Sequence, residues 1–115
     1  MRKAMKNMTL ENIAKACKGS LYRVDSTQKD VPLNGDEASC VVIDSRKMEP
    51  GGIFIATRGE RVDGHSFILD VAKKGALGIV CEELPKECPV PCIVVKDSFQ
   101  ALKEIAEYYR SQLRV

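Results

Sequence analysis

The sequence predicts an α/β fold: a small mixed sheet with helices packed on it, in one domain spanning residues 1–115. Three observations carry this. The runs Ile53 to Thr57, Leu77 to Cys81 and Cys92 to Val95 are short, apolar and rich in β-branched residues, the pattern of strands buried in a sheet. Between and around them lie segments with apolar residues at helical spacing, so that helices alternate with strands. At 115 residues the chain is long enough to close one hydrophobic core but not two.

The first helix follows Thr9, a good N-cap, with Leu10, Ile13, Ala14 and Cys17 on one face and Gly19 placed to end it. Ser20 to Val24 reads as a strand. Residues 25–38 are polar, contain Pro32 and Gly35, and read as a loop with a strand turn around Val31 to Leu33. Ser39 to Ile43 is β-rich and ends in Asp44-Ser45-Arg46, and Glu49-Pro50-Gly51-Gly52 makes a tight turn into the strand at Ile53. A second polar loop, Thr57 to Gly64, leads to a helix from about Ser66 to Lys74 with Phe67, Ile68, Val71 and Ala72 facing inward and Gly75 at its end. The runs at Leu77 and Cys92 should be central strands. Ser98 is expected to cap a last helix whose stripe is Phe99, Leu102, Ile105, Ala106, Tyr109 and Leu113.

Composition removes several classes of function. Hydrophobic residues make up 44% and charged residues 30%, values of a folded globular chain. The 18 basic and 16 acidic residues are interspersed, giving a net charge of +2 and no basic block, so a nucleic-acid partner is not expected. No apolar run approaches the roughly 20 residues of a membrane span, and the N-terminal segment lacks the apolar core of a signal peptide. A cytoplasmic protein is expected. The five cysteines, Cys17, Cys40, Cys81, Cys88 and Cys92, are odd in number and fit reduced, buried thiols better than a disulfide framework. A redox or zinc site from Cys81, Cys88, Cys92 and His65 is the alternative, but the spacing lacks close C-x-x-C pairs.

Complete catalytic machinery is absent from the sequence: there is no phosphate-binding G-x-x-x-x-G-K-[ST], no G-x-G-x-x-G, no H-E-x-x-H and no nucleophile elbow. The single histidine, His65, stands at a helix start, where capping or packing is commoner than catalysis. What remains are two polar loops leaving apolar strands, the place where open α/β sheets put ligand contacts. One offers Asp44, Ser45 and Arg46; the other offers Arg58, Glu60, Arg61 and Asp63 and feeds the helix near Ser66, whose free amides favour an anion. Paired arginine contacts, a hydroxyl and backbone amides suit a nucleotide with a sugar. The plainer reading is that Asp44 and Arg46 satisfy a turn and that residues 58–63 form a solvated loop. A hairpin of the two strands would put these loops at opposite ends of the sheet. The stretch from Asp44 to Gly52 is short for a parallel crossover, so an irregular connection that brings the loops together is expected.

The run VVIDSRKMEPGGIFIATRGERVDGHSFI, followed by KKGALGIVCEE, resembles the opening domain of the Mur ligases, which build the peptide of bacterial cell-wall precursors. The resemblance extends over nearly the whole chain. Within that family, TLENIAKACKGSL and RGERVDGH look most like the branch that adds D-alanyl-D-alanine to the UDP-N-acetylmuramoyl-tripeptide, with the branch adding the third amino acid as runner-up. The resemblance implies that this domain holds the uridine-nucleotide end of a UDP-N-acetylmuramoyl-peptide substrate through Ile43, Ser45, Arg46, Glu60, Arg61 and Val62. It implies no catalytic residue, metal or cofactor within the chain. ATP and Mg2+ belong to the full-length ligase, in central ATPase and C-terminal domains that lie outside this sequence, and the fragment alone is expected to be inactive. A self-standing nucleotide-sugar binding module and a thiol-based redox or metal protein are the readings of other classes.

Overall fold

A computed structural model describes residues 5, 7–22, 37–57, 64–85 and 90–113 of the chain. Its elements in order are α1 (Leu10–Ala16), β1 (Ser20–Tyr22), β2 (Val41–Val42), a 3-10 turn (Ser45–Lys47), β3 (Ile53–Ile55), a second 3-10 turn (Gly64–Phe67), α2 (Ile68–Lys73), β4 (Gly78–Cys81), β5 (Cys92–Val94) and α3 (Ser98–Leu113). The strands form one sheet in the order β1-β5-β4-β3-β2. β2, β3, β4 and β5 are parallel neighbours, and β1 lies antiparallel on the β5 edge with Ser20 opposite Val94. The sheet is thus mixed, as expected.

Strand alternation sends each buried residue to one of two cores. Ile53, Ile55, Val80, Ile93 and Val95 face a layer made by α1 and α3, where Met8, Leu10, Ile13, Ala101 and Ile105 meet them. Phe54, Ala56, Ile79, Cys81 and Cys92 face the other way, toward α2 and Met48. Because helices cover both faces, the central strands are apolar at every position: all four residues of β4 and all three of β3 are buried.

Strand β2 reaches β3 in parallel although the connection is short. β2 is only two residues long, and one 3-10 turn stands in for the crossover helix. Met48, just after that turn, is buried against Phe54 and the α2 residues, so the connection itself packs on the sheet. Gly51, at φ 83°, closes the return, with its N–H donating to the Gly75 carbonyl at 2.8 Å.

Several expected details are corrected. The second helix does not start at Ser66: residues 64–67 form the 3-10 turn and Phe67 is 38% exposed, while Ile68, Val71 and Ala72 point inward as expected. Ser98 does not cap α3; it lies in the first turn, and Asp97 Oδ1 accepts from the N–H groups of Phe99 and Gln100 at 3.0 and 3.2 Å. The buried stripe of α3 is Ser98, Ala101 and Ile105, flanked by Leu102, Tyr108 and Tyr109; Phe99, Ala106 and Leu113 are exposed. The stretch Val31 to Leu33 and residues Arg23 and Val24 lie outside the described residues.

Gly19 is not the left-handed residue that ends α1. Lys18 takes that conformation at φ 57°, and the Gly19 N–H reaches back to the Ala14 carbonyl at 2.9 Å while that of Lys18 reaches Lys15 at 3.3 Å, a Schellman closure. Gly19 is needed for space: a Cβ there would come within 2.4 Å of Ile93 Cγ2. Placing glycine at the strained position should help. Lys18→Gly is expected to raise stability by about 0.5–1 kcal/mol in urea unfolding. Its loose, exposed contact with Glu104 at 3.9 Å offers little to lose.

Candidate functional site

Parallel pairing of β2 and β3 makes the segments that follow them leave the same end of the sheet. There an open cavity of about 490 Å3 is lined by Ile43, Asp44, Ser45, Arg46, Thr57, Gly64 and Phe67. The first four come from the end of β2 and its 3-10 turn, and the last three from the two ends of the loop after β3. The expected meeting of the loops is therefore seen at their roots. Gly64 donates its N–H to the Thr57 carbonyl at 2.7 Å, so these two residues meet beside Ser45 and Arg46.

Asp44 organises the first loop. It N-caps the 3-10 turn through Oδ1, which accepts from the Arg46 N–H at 2.9 Å and from Arg46 Nε at 3.1 Å. Oδ2 accepts from Arg46 Nη2 at 2.9 Å. These bonds engage two of the three guanidinium nitrogens and leave Arg46 directed outward, with its side chain 86% exposed. The plainer sequence reading, a turn satisfied by its own side chains, is part of what is observed. The same bonds orient the guanidinium at the cavity rim.

The side-chain bonds from Arg46, then its backbone N–H, hold the Asp44 carboxyl down to about 2, against an ordinary value of 3.8. Since the folded-state value is the lower one, the contribution of this latch is complete above about pH 4 and is lost as pH falls through 2. In a carboxyl-detected NMR titration Asp44 should turn near pH 2. In Arg46→Ala the midpoint should return toward 3.8.

Of the six residues expected to touch ligand, Ile43, Ser45 and Arg46 line the cavity, with Ile43 half exposed. Glu60, Arg61 and Val62 lie outside the described residues, as do Arg58 and Asp63. Thr57, Gly64 and Phe67 were not foreseen as lining residues. For Gly64 the signal was available in its place at the end of a polar loop, where backbone must pass close to backbone.

His65 packs rather than faces the cavity. Its Nε2 accepts from the Glu82 N–H at 2.9 Å and the Glu83 N–H at 3.4 Å, tying the loop end to the end of β4. Ser66, at the helix start expected to favour an anion, lies in the 3-10 turn of residues 64–67 that runs directly into the six-residue α2. Cys17 and Cys40 are free thiols, Cys81 and Cys92 are buried in the sheet, and burial pushes the Cys17 thiol up. Cys88 lies outside the described residues. Among those residues no cluster of His, Cys, Asp or Glu is arranged to hold a metal ion, and no helix is long and apolar enough to cross a membrane.

A sequence profile described as "Mur ligase family, catalytic domain" matches residues 37–110, which contain both loops and the whole parallel sheet. The chain belongs to the Mur ligase family. Among curated Mur ligases, the UDP-N-acetylmuramoyl-L-alanyl-D-glutamate--2,6-diaminopimelate ligase of Cytophaga hutchinsonii is 50% identical over 76 residues, covering 64% of this chain and 16% of that protein. The UDP-N-acetylmuramoyl-tripeptide--D-alanyl-D-alanine ligase of Escherichia coli K12 is 33% identical over 109 residues, 95% of this chain and 22% of that one. Among solved Mur ligase structures, the D-alanyl-D-alanyl ligase of Acinetobacter baumannii superposes with a TM-score of 0.75 at 27% identity, covering 96% of this chain and 23% of that chain. The chain thus spans between a sixth and a quarter of the length of these Mur ligases. The D-alanyl-D-alanine branch resembles it from end to end, whereas the diaminopimelate branch is more similar over a shorter stretch.

Proposed function

We propose that this domain docks the uridine-nucleotide end of UDP-N-acetylmuramoyl-tripeptide for an ATP-dependent ligase that adds D-alanyl-D-alanine in the cytoplasmic synthesis of peptidoglycan precursors. The observation that carries the reading is the cavity at the shared end of β2 and β3, where the Asp44–Arg46 turn meets both ends of the loop from Thr57 to Gly64. An outward guanidinium held by Asp44 offers its remaining edge to a diphosphate, and Ile43 and Phe67 offer apolar surface to a base. Glu60, Arg61 and Val62 complete the site from the second loop. Activation of the substrate carboxylate by ATP and Mg2+, and attack by the amine, belong to the ATPase and C-terminal domains of the full ligase. This domain positions the substrate and catalyses nothing itself.

The test is an NMR titration of the chain with the tripeptide precursor and, in parallel, with UDP and ATP. Shifts at Ile43, Ser45, Arg46 and Glu60 to Val62 are expected with the precursor and UDP, and none with ATP. Arg61→Ala and Ser45→Ala should each weaken UDP binding by about ten- to a hundredfold while leaving the fold intact, the size of one lost charge-assisted hydrogen bond. Silence of these residues up to millimolar precursor, or equal shifts with ATP, would overturn the reading.

The 50% identity to a diaminopimelate ligase favours a second reading, in which the same docking domain serves the ligase that adds the third residue. The two part on the amine. With ATP, Mg2+ and precursor, the ligase carrying this domain consumes D-alanyl-D-alanine in the first case and 2,6-diaminopimelate in the second.

A further inference from the structure

A 3-10 turn is weakly held by its own bonds, and the one bearing Ser45 and Arg46 is no exception. The N–H of Lys47 reaches the Asp44 carbonyl at 3.0 Å, but that of Met48 reaches the Ser45 carbonyl only at 3.3 Å. A second donor serves that carbonyl. Lys74, the residue after α2, places Nζ 3.0 Å from the Ser45 oxygen and 3.3 Å from Asp70 Oδ2, one helical turn back. The next residue grips the far end of the same connection: the Gly75 carbonyl accepts from the Gly51 N–H at 2.8 Å. The end of α2 therefore holds the connection between β2 and β3 at the Ser45 turn and again at its return into β3.

We propose that Lys74 is a positioning residue for nucleotide recognition, fixing from behind the turn whose Ser45 and Arg46 side chains line the cavity. The proposal rests on the docking reading above and adds a residue that touches no ligand. Two effects act together. The ammonium holds the Ser45 carbonyl, and with it the peptide plane that carries the Arg46 N–H into Asp44. It also neutralises a carbonyl dipole beside a site meant for an anion. Asp70 Oδ2 shares the Lys74 charge from within α2.

The experiment measures UDP affinity and melting temperature for four variants of the chain. Lys74→Met keeps the aliphatic stem and removes the donor. It is expected to bind UDP about five- to tenfold more weakly, in proportion to one weakened contact. Its melting temperature should stay close to the parent's, and the Ser45 and Arg46 amide resonances should move even without ligand. Lys74→Arg should restore most of the affinity. Lys73→Met, which removes an exposed neighbouring charge of the same sign, should bind as the parent does, so that general charge loss is separated from the contact. Ser45→Ala calibrates the site. If Ser45→Ala loses affinity while Lys74→Met does not, or if Lys73→Met loses as much as Lys74→Met, the positioning role is overturned and docking stands. If the unaltered chain does not bind UDP, the docking reading fails and takes this role with it.

Discussion

Gly64→Ala is expected to cost about 1–3 kcal/mol of stability and to weaken uridine-nucleotide binding sharply. The added Cβ would lie 2.9 Å from the Thr57 nitrogen, 3.0 Å from its oxygen and 3.1 Å from the Ala56 Cα. All three are backbone atoms, so no side-chain rotation relieves the clash. Either the Gly64 N–H to Thr57 carbonyl bond lengthens from 2.7 Å or the end of β3 shifts. Both outcomes disturb the contact of Thr57 with Gly64 in the cavity lining beside Ser45 and Arg46. Urea unfolding reads the first effect and UDP titration the second. Parent-like values in both would mean that the closure at Thr57 and Gly64 is dispensable.

Glu82→Ala should destabilise the domain by about 2–4 kcal/mol, because it strands two donors. Ser98 is completely buried, and its N–H and hydroxyl both donate to Glu82 Oε2, at 2.9 and 2.8 Å. A carboxylate there also faces the positive end of α3, which Asp97 occupies from the other side. Glu82→Gln keeps an acceptor oxygen and loses the charge, so it should recover about half the deficit. Thermal or urea unfolding of the three proteins would show the order parent, Gln, Ala. A loss below about 1 kcal/mol for the alanine variant would indicate that water replaces the carboxylate at Ser98.

The central strands and the α2 face were legible because burial on both sides of a sheet leaves an unmistakable apolar run, as at Ile79 to Cys81, and because Ile68, Val71 and Ala72 keep helical spacing. The stripe of α3 was read correctly at Leu102, Ile105 and Tyr109 and misread at Phe99, Ala106 and Leu113 for a definable reason. Phe99 and Leu113 are large and apolar, yet the face that meets the sheet is built from Ser98, Ala101 and Ile105, where small residues let the helix approach closely. Ser98 looked like a cap on chemistry alone, but its hydroxyl is committed to Glu82, a partner distant in sequence. The parallel pairing of β2 and β3 was not stated from the sequence, where only an irregular connection bringing the loops together was expected, since the burial of Met48 that turns a short connection into a crossover is a tertiary fact. In the site, DSR could be located from the sequence. That Asp44 latches Arg46 with both oxygens, and that Lys74 reaches Ser45 from another element, depend on distances that spacing does not encode.

The antiparallel pairing of β1 with β5 has a bearing on how the chain acquires its shape during synthesis. Ser20 finds its partner in Val94, and Tyr22 in Cys92, so β1 cannot be placed until residue 94 has left the ribosome. Meanwhile Met8, Leu10 and Ile13, all destined for the interior, have no wall to rest against. Closing so long a loop is entropically costly and slows folding relative to local pairings. The strands β2 to β4, contiguous in sequence and mutually parallel, can assemble first with α2 across them. The cavity lies wholly among residues of that contiguous part, whereas α1 covers the opposite face of the sheet and β1 closes its β5 edge.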